Sequence, residues 1–230
     1  MLARSSRGGH RLLGLALSLP VLLWMGTGVL FHVKHRYAEA YEPLAVPRPP
    51  ASWTGARLAP AEALAAGGLD AQGPLALLQH PSGRPAYVGL RAGGEAAAVD
   101  AASGAALGLA DVDTARAWAL AGVGASAHAA RYGALLPGAP GEAEHPSALL
   151  GGRELPAYAF TFGGGKQVTV DRLTGELAQT GALNDFIDAT YRVHYLQWTP
   201  WRAVNLLLLA LAVPAMLLLA ASGLWLALRR

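Results

Sequence analysis

The chain contains no cysteine, which excludes disulfides, thiolate metal sites and iron–sulfur clusters and leaves either side of a bacterial membrane open. Charge is also scarce: only 14% of the 230 residues are Asp, Glu, Lys or Arg, with a net charge of +3. Much of that excess is arginine flanking apolar runs, so no basic stripe suited to nucleic acid is present. Nothing in the balance selects an acidic substrate. Several catalytic signatures are missing too. No glycine-rich phosphate loop ends in Lys-Ser/Thr, because Gly163-Gly164-Gly165-Lys166 reads as a hairpin turn. There is no Gly-x-Ser-x-Gly elbow, no His-Glu-x-x-His, no catalytic carboxylate pair and no flavin or nicotinamide fingerprint.

What is abundant is apolar: 53% of the residues are hydrophobic, above the usual globular share. Leu12–Phe31 and Ala203–Leu228 hold no charged residue, and each exceeds the roughly 18 to 20 residues that cross ~30 Å of hydrocarbon. The first run resembles a signal peptide, with Arg4, Arg7 and Arg11 before it and Ala38-Glu39-Ala40 after it. A signal core is usually only about 7–15 residues, however, and Lys34, His35 and Arg36 separate this core from that site. The run is therefore expected to stay as an anchor. Arg4, Arg7, Arg11 and Arg229-Arg230 favour cytoplasmic termini, while Lys34, Arg36, Arg192 and Arg202 near the other face pull against that bias.

Between the runs, Pro43, Pro47, Pro49 and Pro50 impose an extended, semi-rigid connector, since proline fixes φ and lacks an N–H. Pro60–Ala66 reads as a short helix that stops at Gly67-Gly68. Leu75–Gln79, Ala86–Arg91 and Glu95–Asp100 read as strands, the last two turning at Gly93-Gly94. Asp113–Ala121 has helical spacing with Asp113 or Thr114 as its cap, and Tyr132–Arg153, rich in glycine and proline, reads as an irregular loop. Beyond it Tyr158, Phe160 and Phe162 share one strand face, and Val168 and Val170 share a face of the partner strand. Asn184 or Asp185 is expected to cap a last short helix whose stripe is Ile187, Tyr191, His194 and Trp198, interrupted by Pro200; Trp198 and Trp201 suit a membrane–water boundary.

Twenty residues recur without a gap. Pro85–Gly104 aligns with Pro156–Gly175 with eight identities: Pro-Ala-Tyr, Gly-Gly, Val-Asp and the final Gly. Such a match marks one supersecondary unit used twice. In each copy Asp-x-x-[Ser/Thr]-Gly follows the hairpin (Asp100 to Gly104, Asp171 to Gly175). This is turn chemistry, in which carboxylate and hydroxyl take backbone amides and glycine takes the left-handed position. The expected class is an α+β membrane protein. Residues 1–36 carry the N-terminus and first span, 37–57 the proline-rich connector, 58–110 and 111–182 the two repeats, 183–202 an amphipathic pre-membrane helix and 203–230 the second span.

The pattern Tyr … Gly-Gly … Val-Asp-x-x-[Ser/Thr]-Gly, used twice, resembles PepSY domains. The ends resemble PepSY-associated transmembrane helices: His10-Arg11-Leu12-Leu13-Gly14 and Thr27-Gly28 in the first, His194-Tyr195-Leu196-Gln197-Trp198 and Ser222-Gly223 around the second. The resemblance covers nearly the whole chain. It implies a bacterial inner-membrane protein with two helices and a tandem PepSY-like module in the periplasm. The duplicated hairpin between two spans, with no catalytic set, points to a non-enzymatic binding or accessory role in the cell envelope, and the resemblance suggests a link to iron or haem handling. Larger relatives with four helices include haem-binding ferric-chelate reductases, whereas isolated PepSY domains are associated with restraining secreted peptidases. Two spans fall short of a four-helix redox core.

Seven histidines occur. His32 and His35 lie at one end of the first span and His194 enters the second, so His32 or His35 is placed to oppose His194 across a haem b. Bis-histidine ligation needs two facing imidazoles, each ~2 Å from the iron. Thr27 and Gly28 would admit a macrocycle. His10 has no opposing histidine, and a haem there requires a homodimer, for which Gly14-x-x-x-Ser18 offers a contact, or a partner membrane subunit. The plainer reading makes all four histidines interfacial residues that bond water and headgroups. His80, His128 and His145 are scattered, and Met25 and Met216 read as packing residues. No catalytic residue and no metal site apart from haem iron is assigned. The readings left open are a binding or accessory protein, an electron-transfer subunit holding haem b, and a peptidase-restraining module.

Overall fold

A computed structural model describes residues 2–32, 34–47, 53–80 and 82–228. Among these the chain is α+β, with five α-helices and two four-stranded antiparallel sheets. It divides into two compact units, Met1–Ala38 with Leu183–Arg230, and Glu39–Ala182.

The first unit contains α1 (Leu2–His32), most of α4 (Ala182–His194) and α5 (Arg202–Leu228). Gly8–Phe31 and Arg202–Trp225 are each long and apolar enough to cross a membrane, and the rest of the chain buries almost none of either stretch. Leu12 is 71% exposed and Leu217 66%, whereas a helix in a soluble core would turn such a stripe inward.

Helix α4 differs from its sequence expectation at both ends. It starts at Ala182, so Asn184 and Asp185 lie in its first turn rather than at a cap. It ends at His194, well before Pro200, and Trp198 is off the helix. Leu196 adopts φ 54°, and the Gln197 N–H returns to the Arg192 carbonyl at 2.8 Å. A left-handed residue with a returning amide is a helix stop that needs no proline. Trp198 then donates its Nε1–H to the Val193 carbonyl at 3.3 Å.

The second unit contains the repeats. The first copy comprises α2 (Pro60–Gly67), β1 (Leu75–Gln79), β2 (Pro85–Leu90), β3 (Ala96–Asp100) and β4 (Ala106–Leu107). The second comprises α3 (Val112–Ala125), β5 (Gly141–Ser147), β6 (Arg153–Thr161), β7 (Lys166–Asp171) and β8 (Leu177–Gly181). Each sheet is a meander in chain order, and the central hairpins share one register. Ala86 faces Asp100 and Tyr87 faces Val99, as Ala157 faces Asp171 and Tyr158 faces Val170. The turns agree as well. Asp100 Oδ1 accepts from the Ala102 and Ser103 N–H groups, and Asp171 Oδ1 from those of Leu173 and Thr174. Gly104 and Gly175 close them at φ 75° and 69°, a region open to glycine at little cost.

Three sequence expectations need correction here. The stretch expected to be a loop holds β5, which pairs seven residues with β6. Its Pro146 and its charged residues hid it, and both are tolerated because β5 is an edge strand. Helix α3 runs further than expected and is capped by Asp111, whose carboxylate accepts the Thr114 N–H at 2.7 Å. Finally, β4 and β8 extend each hairpin to four strands.

The α2 face of the first sheet buries Ala63, Leu69, Tyr87 and Val99. Its other face, through Val88, Leu90 and Ala98, packs on Leu150, Leu155 and Leu173 of the second copy. The second sheet buries Phe160, Val168 and Val170 against Trp118 and Ala119 of α3, and Leu44 joins that core. Leu44 and Val46 of the expected connector are thus seated on the second copy, Ala56 and Arg57 meet the first, and residues 48–52 lie outside the described residues.

Candidate functional site

Two histidines of the first unit, His10 and His194, meet hydroxyl–glycine pairs. His194 Nδ1 lies 3.2 Å from Thr27 Oγ1, and its Cε1 would be 3.4 Å from a Cβ on Gly28. His10 Nδ1 lies 2.8 Å from Ser222 Oγ, and its Cε1 would be 3.2 Å from a Cβ on Gly223. The two arrangements repeat each other: an imidazole from one helix rests on a glycine of another and is fixed by the preceding hydroxyl. Glycine lets each ring lie close to the helix backbone, and a Cβ would be tight at Gly223 and in ordinary contact at Gly28.

Hydrogen-bond accounting favours one tautomer at each ring. Thr27 Oγ1 donates to the carbonyls of Leu23 and Trp24, and Ser222 Oγ donates to that of Leu219. With each hydroxyl proton on its own helix, the imidazole Nδ1–H is the donor. In the neutral ring the lone pair then sits on Nε2. Around His194 the cage is aromatic: Trp24 stacks at 5.3 Å and 7°, and Phe31 meets the ring edge-on at 4.6 Å.

A haem iron takes an imidazole Nε2 whose Nδ1–H is anchored elsewhere, so each tautomer suits a single axial ligand. The rest of the set fits less well. Thr27 lies 17 residues beyond His10 in α1, about 26 Å along the helix, so His10 and His194 cannot face one another. Thr27 and Gly28, expected to admit a macrocycle, receive the imidazole itself. The side chains of His32 and His35 lie outside the described residues. Among the described residues no cluster of three or more metal-binding side chains occurs.

The second unit holds a polar network that sequence reasoning missed. Glu42 accepts from Ser126 Oγ at 2.6 Å and from the Ala127 N–H at 2.7 Å, and lies 3.0 Å from His128 Nδ1. Burial pushes its carboxyl upward, but the bonds from Ser126, His128 and Ala127, with the His128 charge, outweigh it and hold the group below the usual range. Nearby Lys166, buried at the start of β7, lies 3.2 Å from Glu39 and donates to Gln179 Oε1 at 3.0 Å. Tyr132 is fully buried, with the Lys166 ammonium over its ring at 4.9 Å. Burial first, then the Glu42 and Glu39 charges, push its hydroxyl up to about 12 against a smaller opposing effect of Ser126. These partners stand up to 140 residues apart; no local pattern announces them, and only the rarity of charge marks them at all. The network ties the segment from Glu39 to Val46 onto the second copy. The serine bonds the carboxylate rather than the imidazole, so no nucleophile–base pair forms.

The remaining histidines serve turns and edges. His80 Nδ1 meets Ser82 Oγ at 2.8 Å in the β1–β2 turn, and His145 is buried on β5. Comparison of the chain with family models, with curated proteins and with solved structures finds no match.

Proposed function

We propose that the chain is a membrane-anchored binding or accessory protein of the bacterial envelope. In this reading α1 and α5 lie in the inner membrane, and the doubled α+β unit works outside the cytoplasm on a partner of iron or haem handling. The observation that carries it is the shared register of the two copies, each with its carboxylate engaged in a turn, in a body flanked in sequence by two helices of membrane length. The likeness of the repeat and the helix ends to PepSY proteins supplies the envelope and iron context.

The absence of cysteine gives a clean test. A cysteine placed at exposed Ser103 is expected to react with a membrane-impermeant maleimide in intact cells, whereas one at Ser5, ahead of the first membrane-length stretch, reacts only after lysis. Labelling of Ser103→Cys only after lysis would overturn the topology. Under iron limitation, cells lacking the chain should grow more slowly on haem or ferric chelates. Equal growth on every iron source would remove the iron connection.

A second reading, a haem b-holding electron-transfer subunit, is favoured by the anchored Nδ1 of His194. Detergent-purified protein from haem-replete cells would then show a Soret band that His194→Ala abolishes. Colourless protein would dismiss it.

A further inference from the structure

Two adjoining cavities in the first unit have chemistry that anchoring alone does not require. One, about 810 Å³, has mixed polar and apolar walls and is lined by Arg192, Trp198, Arg202 and Leu209 among others. The second, about 490 Å³, lies between Trp24 of α1 and Leu209, Val213 and Met216 of α5, and its walls are almost wholly apolar. Leu209 lines both, so the two cavities share a wall.

The arginines are held by a fixed turn. Arg192 sits in the last turn of α4 and its carbonyl accepts the Gln197 N–H. Arg202 opens α5, where Asn205 locks the turn by exchanging hydrogen bonds with Thr199 at 2.7 to 3.0 Å. Among the described residues neither arginine has a carboxylate partner, although Arg84, Arg91, Arg116 and Arg131 all do. Two unpaired guanidinium groups lining one cavity suit a phosphate, which their planar donor sets recognise in pairs. Below them the apolar groove follows α5 from Leu209 to Ala220. That stretch rises about 17 Å, close to half of a ~30 Å hydrocarbon core, the depth that one acyl chain reaches.

We propose that these cavities form a binding site for one anionic phospholipid, with its phosphate on Arg192 and Arg202 and an acyl chain in the groove below Leu209. The proposal rests on the membrane reading above. It also accounts for positive charge at the helix ends where the charge bias disfavours it: a bound anionic headgroup neutralises the pair.

The test uses the full chain, extracted in mild detergent, delipidated and offered phosphatidylglycerol, phosphatidylcholine or inorganic phosphate, with retained ligand counted by native mass spectrometry. One phosphatidylglycerol per chain is expected, favoured over phosphatidylcholine. Arg192→Gln with Arg202→Gln should cut retention roughly tenfold or more. Ala212→Trp, which fills the groove and leaves the arginines intact, should do the same at unchanged helix content, while Arg11→Gln changes nothing. Retention unaffected by the double variant would reveal only annular lipid and overturn the site. Equal protection by phosphate alone would reduce it to an anion site, and a dimer disrupted by Ala212→Trp would assign the groove to a second copy; either overturns the proposal. A chain recovered without detergent in the soluble fraction would defeat the membrane reading itself, whereas a membrane-bound chain retaining no lipid would defeat this site alone.

Discussion

Asp100 and Asp171 hold the same place in the two copies but sit in opposite electrostatic settings. At Asp100, burial pushes the carboxyl up, but backbone bonds from Ala102 and Ser103, the Ser103 hydroxyl and the Arg84 charge outweigh it and bring it below the usual range. Asp171 is fully buried, and burial leaves its carboxyl raised despite bonds from Thr174 and Leu173 and the charge of His145. The linkage signs therefore differ. Asp100 adds stability above its unfolded pKa, near ~3.9, and loses it as pH falls through its lower folded value. Asp171 adds stability below that unfolded pKa and loses it as pH rises through its higher folded value. Asp171→Asn is expected to melt less pH-dependently than the parent between pH 4 and 7, since it keeps an acceptor for both amides without the buried charge. Asp171→Ala strands those donors and should cost about 1–3 kcal/mol. The glycines of the hairpin turns also differ between copies. A Cβ on Gly164 would run into the Arg131 carbonyl and lie 2.8 Å from that of Tyr132, whereas one on Gly93 meets nothing within 4 Å. Gly164→Ala should cost about 2 kcal/mol or more and Gly93→Ala no more than about 0.5 kcal/mol, read from the melting transitions.

At the scale of elements, packing against glycine matters more than hydrogen bonding in the histidine contacts. On the proposed membrane reading an interhelical hydrogen bond averages only ~0.6 kcal/mol, so Thr27→Val should shift the detergent melting transition little. Gly28→Leu places a side chain where the His194 ring lies, and overpacking of that kind costs about 1–3 kcal/mol. A larger effect from Thr27→Val than from Gly28→Leu would reverse that ranking. In the second unit Glu42 pins the end of α3. Its lowered carboxyl contributes stability above the unfolded pKa and releases it as pH falls through the folded value, so the pin stays closed at neutral pH. Glu42→Ala should cost about 2 kcal/mol at neutral pH, with a smaller difference from the parent in acid. Histidine, threonine and glycine were each visible as polar or small residues at the ends of apolar runs, and their pairing was not. Periodicity places residues on one helix, but it carries no information about which turn of a second helix lies opposite.

For the whole molecule, duplication makes the two sheets alike and burial makes them differ. β2 and β3 are buried on both faces, between α2 and the leucines of the second copy, whereas Gln167 and Thr180 leave part of the second sheet open to water. Leu155 is 2% exposed where the copies join. Leu155→Ala should therefore cost about 2–5 kcal/mol, and it should raise hydrogen exchange in β2 and β3 as well as in β6. Protection lost in β6 alone would show the copies to be energetically separate.

From the order of residues alone follow the two long apolar helices, the doubled hairpin with its Asp and Gly turns, and the α+β class. Each of these depends on patterns within about twenty neighbouring residues, where backbone sterics and side-chain alternation act directly. Only the tertiary structure decided that β5 is a strand, that Glu42 and Lys166 share a network, and which hydroxyl each histidine meets. An edge strand takes its hydrogen bonds from β6, not from its own composition, and a buried charge persists only where partners far along the chain are brought to it.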